Sequence, residues 1–170
     1  MDQRKAHTRQ ALLDAFGRLA TVKRYENIST AAIVQEARVG RSTFYEHFTD
    51  KDALLLASLE PLLLPLANAA SGRASKAMLR VLLIHVWDRR SRFRSILSSP
   101  AERKIAARLA AIIEERLDFS EPQHADHKIF SIAAAHGQIA TLRAWVSGEI
   151  SANAESLARA LRAVRFANLP

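Results

Sequence analysis

Residues 29–51 read STAAIVQEARVGRSTFYEHFTDK, and this stretch decides the fold. Two helix-start signals of the same form occur in it, each an apolar residue, a small capping residue, and an apolar residue four positions into the helix. Ile28, Ser29 and Ile33 make the first; Val39, Gly40 and Phe44 make the second. The apolar pair staples the chain as it enters a helix, and a serine hydroxyl accepts from a free first-turn amide. The pattern predicts two short helices joined by a tight turn, with Thr49 or Asp50 capping a third that begins at Lys51.

In the second of these helices Phe44 and Phe48 lie four apart and share one face. Arg41, Ser42, Thr43, Tyr45, Glu46 and His47 are left for the outside. Arginine, serine and threonine can reach base edges in a major groove, whereas tyrosine and histidine suit phosphate oxygens. Lys51 adds a cation beside free helix amides, a place where a phosphate can sit. A three-helix packing unit that touches no DNA is the plainer reading of the same spacing, and the polar set on the second helix argues against it.

Thr8, Leu12, Ala15, Phe16 and Leu19, then Tyr25, Ser29, Ile33, Ala37 and Val39, and above all Thr43-Phe44-Tyr45-Glu46-His47-Phe48 with Lys51 and Leu54, resemble the TetR (tetracycline-repressor) family of bacterial transcriptional regulators. The resemblance covers about the first third of the chain. It implies an all-α protein of about nine helices, with an N-terminal three-helix DNA-binding head (1–52) and a C-terminal helical ligand-binding and dimerisation body (53–170). Carried over, Arg41, Ser42 and Thr43 face bases or adjoining phosphates, and Thr30, Tyr45, His47 and Lys51 hold the DNA backbone. The implied partners are double-stranded DNA with a near-palindromic operator, a second copy of the chain, and a small-molecule effector that releases the DNA. Three positions depart from the family pattern: Arg38 stands where a turn glycine is usual, Gly40 where a serine cap is usual, and Arg24 where a glycine precedes Tyr25. A left-handed Arg38 costs roughly 1 kcal/mol relative to glycine, which a phosphate contact could offset.

The chain has 170 residues, 49% of them hydrophobic, with five glycines and five prolines. That composition suits a compact helical protein with a good core. The absence of cysteine excludes disulfides and thiolate metal sites. A polar amino terminus, MDQRKAHTRQ, and no apolar run judged long enough to span a bilayer lead to the expectation of a soluble, cytoplasmic protein without a membrane partner. Net charge is +8, yet residues 1–52 hold nine Lys/Arg against seven Asp/Glu, so +6 of the excess lies in the body. The arrangement of the second helix, rather than total charge, carries the case for DNA.

Elsewhere the apolar spacing predicts helices over 3–21, 50–70, 74–98, 101–117, 123–147 and 151–166. Arg4, Lys5 and Arg9 fit a solvated helix start and a DNA backbone contact equally. Pro61 and Pro65 predict a kink or break near Pro61. The effector pocket is expected around His85, Trp87, Phe130 and His136, and a dimer seam at Ile139, Leu142, Leu157, Leu161 and Val164, residues that could equally close the monomer's own core. Arg89, Arg90, Arg92 and Arg94 read as a solvated face, with an acidic effector or further DNA contact as alternatives. His124, Asp126 and His127 have the spacing of a metal grip but no third ligand, and read as a helix start; no metal and no cofactor are expected. Two rival functions are a constitutive DNA-binding or protein-interaction module without an effector, and an enzyme built on His85, His127 and His136; no catalytic constellation supports the second.

Overall fold

The computed structural model describes residues 3–117 and 124–163. Among them lie nine α-helices and a 3-10 turn, and no strand: α1 (Gln3–Val22), the turn (Tyr25–Asn27), α2 (Thr30–Ala37), α3 (Arg41–His47), α4 (Lys51–Ala70), α5 (Lys76–Asp88), α6 (Arg90–Leu97), α7 (Ala101–Glu114), α8 (His124–Ser147) and α9 (Ala154–Ala163). The chain forms two compact units, Met1–Glu60 and Pro61–Pro170. The division falls inside α4, eight residues beyond the expected end of the head at residue 52.

In the head, α1 packs on α2, burying Leu12, Ala15, Phe16 and Leu19 as its spacing predicts. Arg18 Nε on α1 reaches Glu36 Oε1 on α2 at 2.6 Å. Ser29 Oγ accepts from the Ala32 amide at 3.1 Å, and Asp50 Oδ1 accepts from the Ala53 amide at 2.7 Å. Of the two caps considered for α4, the aspartate does the work. Arg38 is left-handed, with φ 54° and ψ 42°, and is the single non-glycine residue with positive φ among the described residues. Its conformation lets the Val39 amide bond back to Val34 O at 3.2 Å, closing α2 in the way a glycine usually does.

In the second unit, α8 packs on α7 and α6, and α9 packs on α5. Lys76 of α5 pairs with Glu155 of α9 at 2.5 Å. Arg116 Nε donates to Asn68 Oδ1 at 3.2 Å and Gln138 Nε2 donates to Leu66 O at 3.1 Å, so the far half of α4 is tied into this unit. Trp145 is buried and its indole N–H donates to Ala152 O at 2.8 Å. Gly148, with φ 86°, then ends α8.

Three expectations change. The single helix expected over 74–98 is two, broken at Arg89 (φ −114°, ψ 26°). No proline or glycine announces the break, but four arginines in six residues put like charges a turn apart, which weakens a helix. At Pro61 the helix runs through unbroken, with both prolines inside it. Finally, α4 is, by length and composition, long and apolar enough to cross a membrane, contrary to the sequence expectation. Nearly half of its apolar window is buried within the protein, with Leu54, Leu55, Leu59, Leu63, Leu66 and Ala67 inside.

Candidate nucleic-acid interface

Helix α3 is short, and its two phenylalanines anchor it. Phe44 and Phe48 are buried, their rings 6.0 Å apart, which forces the intervening side chains outward. Arg41, Ser42, Tyr45 and Glu46 are exposed; Thr43 and His47 are half-buried. Tyr45 is 49% exposed, a large apolar ring left open to solvent. The Arg41 guanidinium lies 6.0 Å from the centre of that ring, so an arginine and an aromatic stand together at the start of the helix. Thr30, half-buried, opens α2. All of the residues expected on DNA therefore retain an open or partly open position.

Lys51 is placed differently. Its ammonium donates to the carbonyls of Tyr25 (3.1 Å), Glu26 (3.4 Å) and Ile28 (3.0 Å) and sits 4.4 Å from the Tyr25 ring centre. An ammonium has three donors, and all three are engaged inside the head. The lysine expected to hold a phosphate instead clamps, in this structure, the 3-10 turn between α1 and α2 to the start of α4. Beside it the Tyr25 hydroxyl donates to Asp52. Burial, and then that hydrogen bond, push the phenol well above its ordinary range, so it stays a donor.

The head also gathers cations that the sequence left undecided. Lys5 and Arg9 of α1 line a cleft of about 170 Å³ with Glu46 and His47 of α3. Arg9 lies over the Phe48 ring at 5.3 Å. The amino-terminal turns of α1 thus share a cleft with the end of the exposed helix, and the helical phase of Lys5 and Arg9, four apart, was the signal that could have placed them.

In the second unit the expected effector residues do not converge. His85 lines an open apolar groove between α4 and α5, while Trp87 stacks on Trp145 at 4.8 Å, Phe130 is buried in the core and His136 is exposed. The expected seam residues Ile139, Leu142, Leu157 and Leu161 are buried in the protomer itself; Val164 lies outside the described residues. What α8 leaves open is another stripe, Ile129 (66% exposed) and Ile132 (47%) followed by Ala133, His136 and Ala140. The three-histidine enzyme fails on geometry. His127 is buried and His136 exposed, nine residues apart and so about 180° around one helix. Among the described residues no group of three or more His, Cys, Asp or Glu is placed to hold a metal; the His124 side chain lies outside them.

A family model described as "Bacterial regulatory proteins, tetR family" matches residues 12–58. The chain is 41% identical over 51 residues to an uncharacterized HTH-type transcriptional regulator of Haemophilus influenzae. That match covers 29% of this chain and spans only a quarter (25%) of the relative. Among solved structures, a TetR transcriptional regulator from Streptococcus agalactiae matches with a TM-score of 0.59 and 22% identity, covering 96% of each chain. The dihydroxyacetone kinase operon activator DhaS matches with a TM-score of 0.53 and 20% identity, covering 91% of each. These two likenesses concern the fold.

Proposed function

We propose that this chain, whose residues 12–58 match the TetR family of bacterial regulatory proteins, controls transcription by binding, as a homodimer, an operator of two inverted half-sites. The single observation that carries the reading is the outward set on α3 above a buried phenylalanine pair. In this reading Arg41, Ser42 and Thr43 enter a major groove, and Tyr45, His47 and Thr30 hold phosphates. Lys5 and Arg9, sharing a cleft with His47, extend the backbone contact along α1. Two-fold symmetry sets the half-sites about 34 Å apart or a multiple of it.

The second copy docks on the exposed stripe of α8. Ile129, Ile132, Ala133, His136 and Ala140 recur at helical spacing on the face that the protomer leaves uncovered, and the small residues among them let a partner helix approach closely. An effector bound in the body favours the conformation with the wrong head spacing, and DNA affinity falls by that difference in affinity. Helix α4 runs through both compact units and is the proposed coupling element. The proposed outcome is repression by occupancy of the operator. Activation is the second reading, since one protein of this fold, DhaS, is an operon activator; a reporter in cells with and without the protein decides between them.

The interface is tested by duplex binding. Arg41→Ala alters which sequences are preferred, each lost bidentate base contact being worth about 1–3 kcal/mol of discrimination. Tyr45→Ala weakens specific and random duplexes alike. Wild-type affinity for both duplexes in Tyr45→Ala would remove the phosphate role.

A further inference from the structure

The groove between α4 and α5 has a volume of about 380 Å³. Pro61, Leu62 and Pro65 form one wall; Met78, Val81 and His85 form the other. Both prolines lack an amide hydrogen, so neither offers a backbone donor there. Met78 and Val81 are 59% and 64% exposed, large apolar side chains lying open on a helix whose other face is buried.

At one end the groove changes character. Arg89 Nη1 lies 3.1 Å from His85 Nδ1. A guanidinium only donates, so Nδ1 is the acceptor and the imidazole is neutral with its proton on Nε2. Burial, then Arg89 and Arg92, hold its titration below the ordinary range. Arg89 forms no ion pair among the described residues. His85 therefore gives an otherwise apolar groove one polar lining residue, to which the Arg89 guanidinium is hydrogen-bonded, with the Asp88 carboxylate also near the imidazole.

We propose that this groove is the effector site and that its ligand is a linear monocarboxylate of medium chain length. The carboxylate meets Arg89 and His85, and the alkyl chain lies along Pro61, Pro65, Met78 and Val81. An arginine fork matches a carboxylate, and the volume falls near the lower end of small-ligand sites, which limits the chain. The assignment rests on the reading of the body as a sensor, and it places the ligand against α4 where the second compact unit begins.

The test is calorimetric titration of the full chain with decanoate, decanol and decylamine, alongside duplex binding with and without decanoate. Decanoate saturates one site; decanol binds about tenfold more weakly or worse, the loss of a charge-assisted contact; decylamine binds more weakly still. Octanoate is weaker than decanoate by about twofold per methylene, because one side of the groove is open and each burial is partial. Val81→Asp, at an exposed position that leaves folding intact, loses decanoate binding at least about tenfold, and Arg89→Gln brings decanoate down to the level of decanol. Equal binding of decanoate and decanol, undiminished binding to Val81→Asp, or no saturable binding overturns the site. Decanoate that fills the groove yet leaves duplex affinity unchanged instead overturns the effector role.

Discussion

Replacing Lys51 by methionine keeps the length of the side chain and removes its ammonium. Three carbonyls lose their donor, at 3.1, 3.4 and 3.0 Å, and the Tyr25 ring loses a cation at 4.4 Å. A hydrogen bond from a charged donor is worth about 1.5–3 kcal/mol, but Lys51 is only half-buried and water can reach part of what it leaves. Tyr25 O also keeps the Ile28 amide, at 3.1 Å. The expected loss is about 2 kcal/mol, or about 4–8 °C in melting temperature for a chain of this size. Circular dichroism melts give the loss, and fluorescence anisotropy on a bound duplex at several salt concentrations, well below the melt, gives the slope. Because the ammonium is a clamp, the salt slope stays as in the wild type. A variant that melts within about 1 °C of the wild type while its salt slope falls by about one unit would show that Lys51 serves a phosphate instead.

Alkaline pH tests the neighbouring pair. The folded phenol of Tyr25 titrates above the ordinary value, so its contribution to stability is fully present below about pH 10 and is lost as pH rises beyond that. The stability gap between wild type and Tyr25→Phe therefore narrows above about pH 10 in urea melts; a gap constant from pH 8 to 11 contradicts this. At the seam, Ile132→Arg, on the open face of α8, gives a folded monomer by light scattering, whereas Leu161→Arg, inside the protomer, fails to fold, at a cost of several kcal/mol for an unpaired buried charge. A dimer that survives Ile132→Arg removes the proposed stripe.

The head was legible because its signals are local. Ser29, Gly40 and the paired apolar residues around them specify two helix starts within a few residues, and Phe44 with Phe48 fixes the outward face of α3. Even the left-handed Arg38 follows from where a turn must close. The bonding of Lys51 was not legible because the carbonyls of Tyr25, Glu26 and Ile28, more than twenty residues earlier, compete with solvent for its ammonium. The burial of the expected seam residues within the protomer was hidden for a different reason. Helix α8 is apolar on two sides, so the stripe of Ile132, Ala135, Ile139 and Leu142 mixes an exposed residue with three buried ones. On α9, Leu157 and Leu161 face the core because α5 covers them, a contact that spacing along one helix does not contain. The expected pocket fared no better, since His127 and His136 share a helix but not a face, and the groove beside His85 is built from a second helix.

The central claim is that the open face of α3 reads DNA in a two-fold arrangement. Selection of bound duplexes from a random pool measures this most directly. The expected result is enrichment of an inverted repeat whose half-sites are centred about one helical turn, or a multiple, apart, with the preferred bases shifting in Arg41→Ala. A selected pool no different from the input, or one holding only a single unrepeated site that Arg41→Ala leaves unchanged, would contradict it.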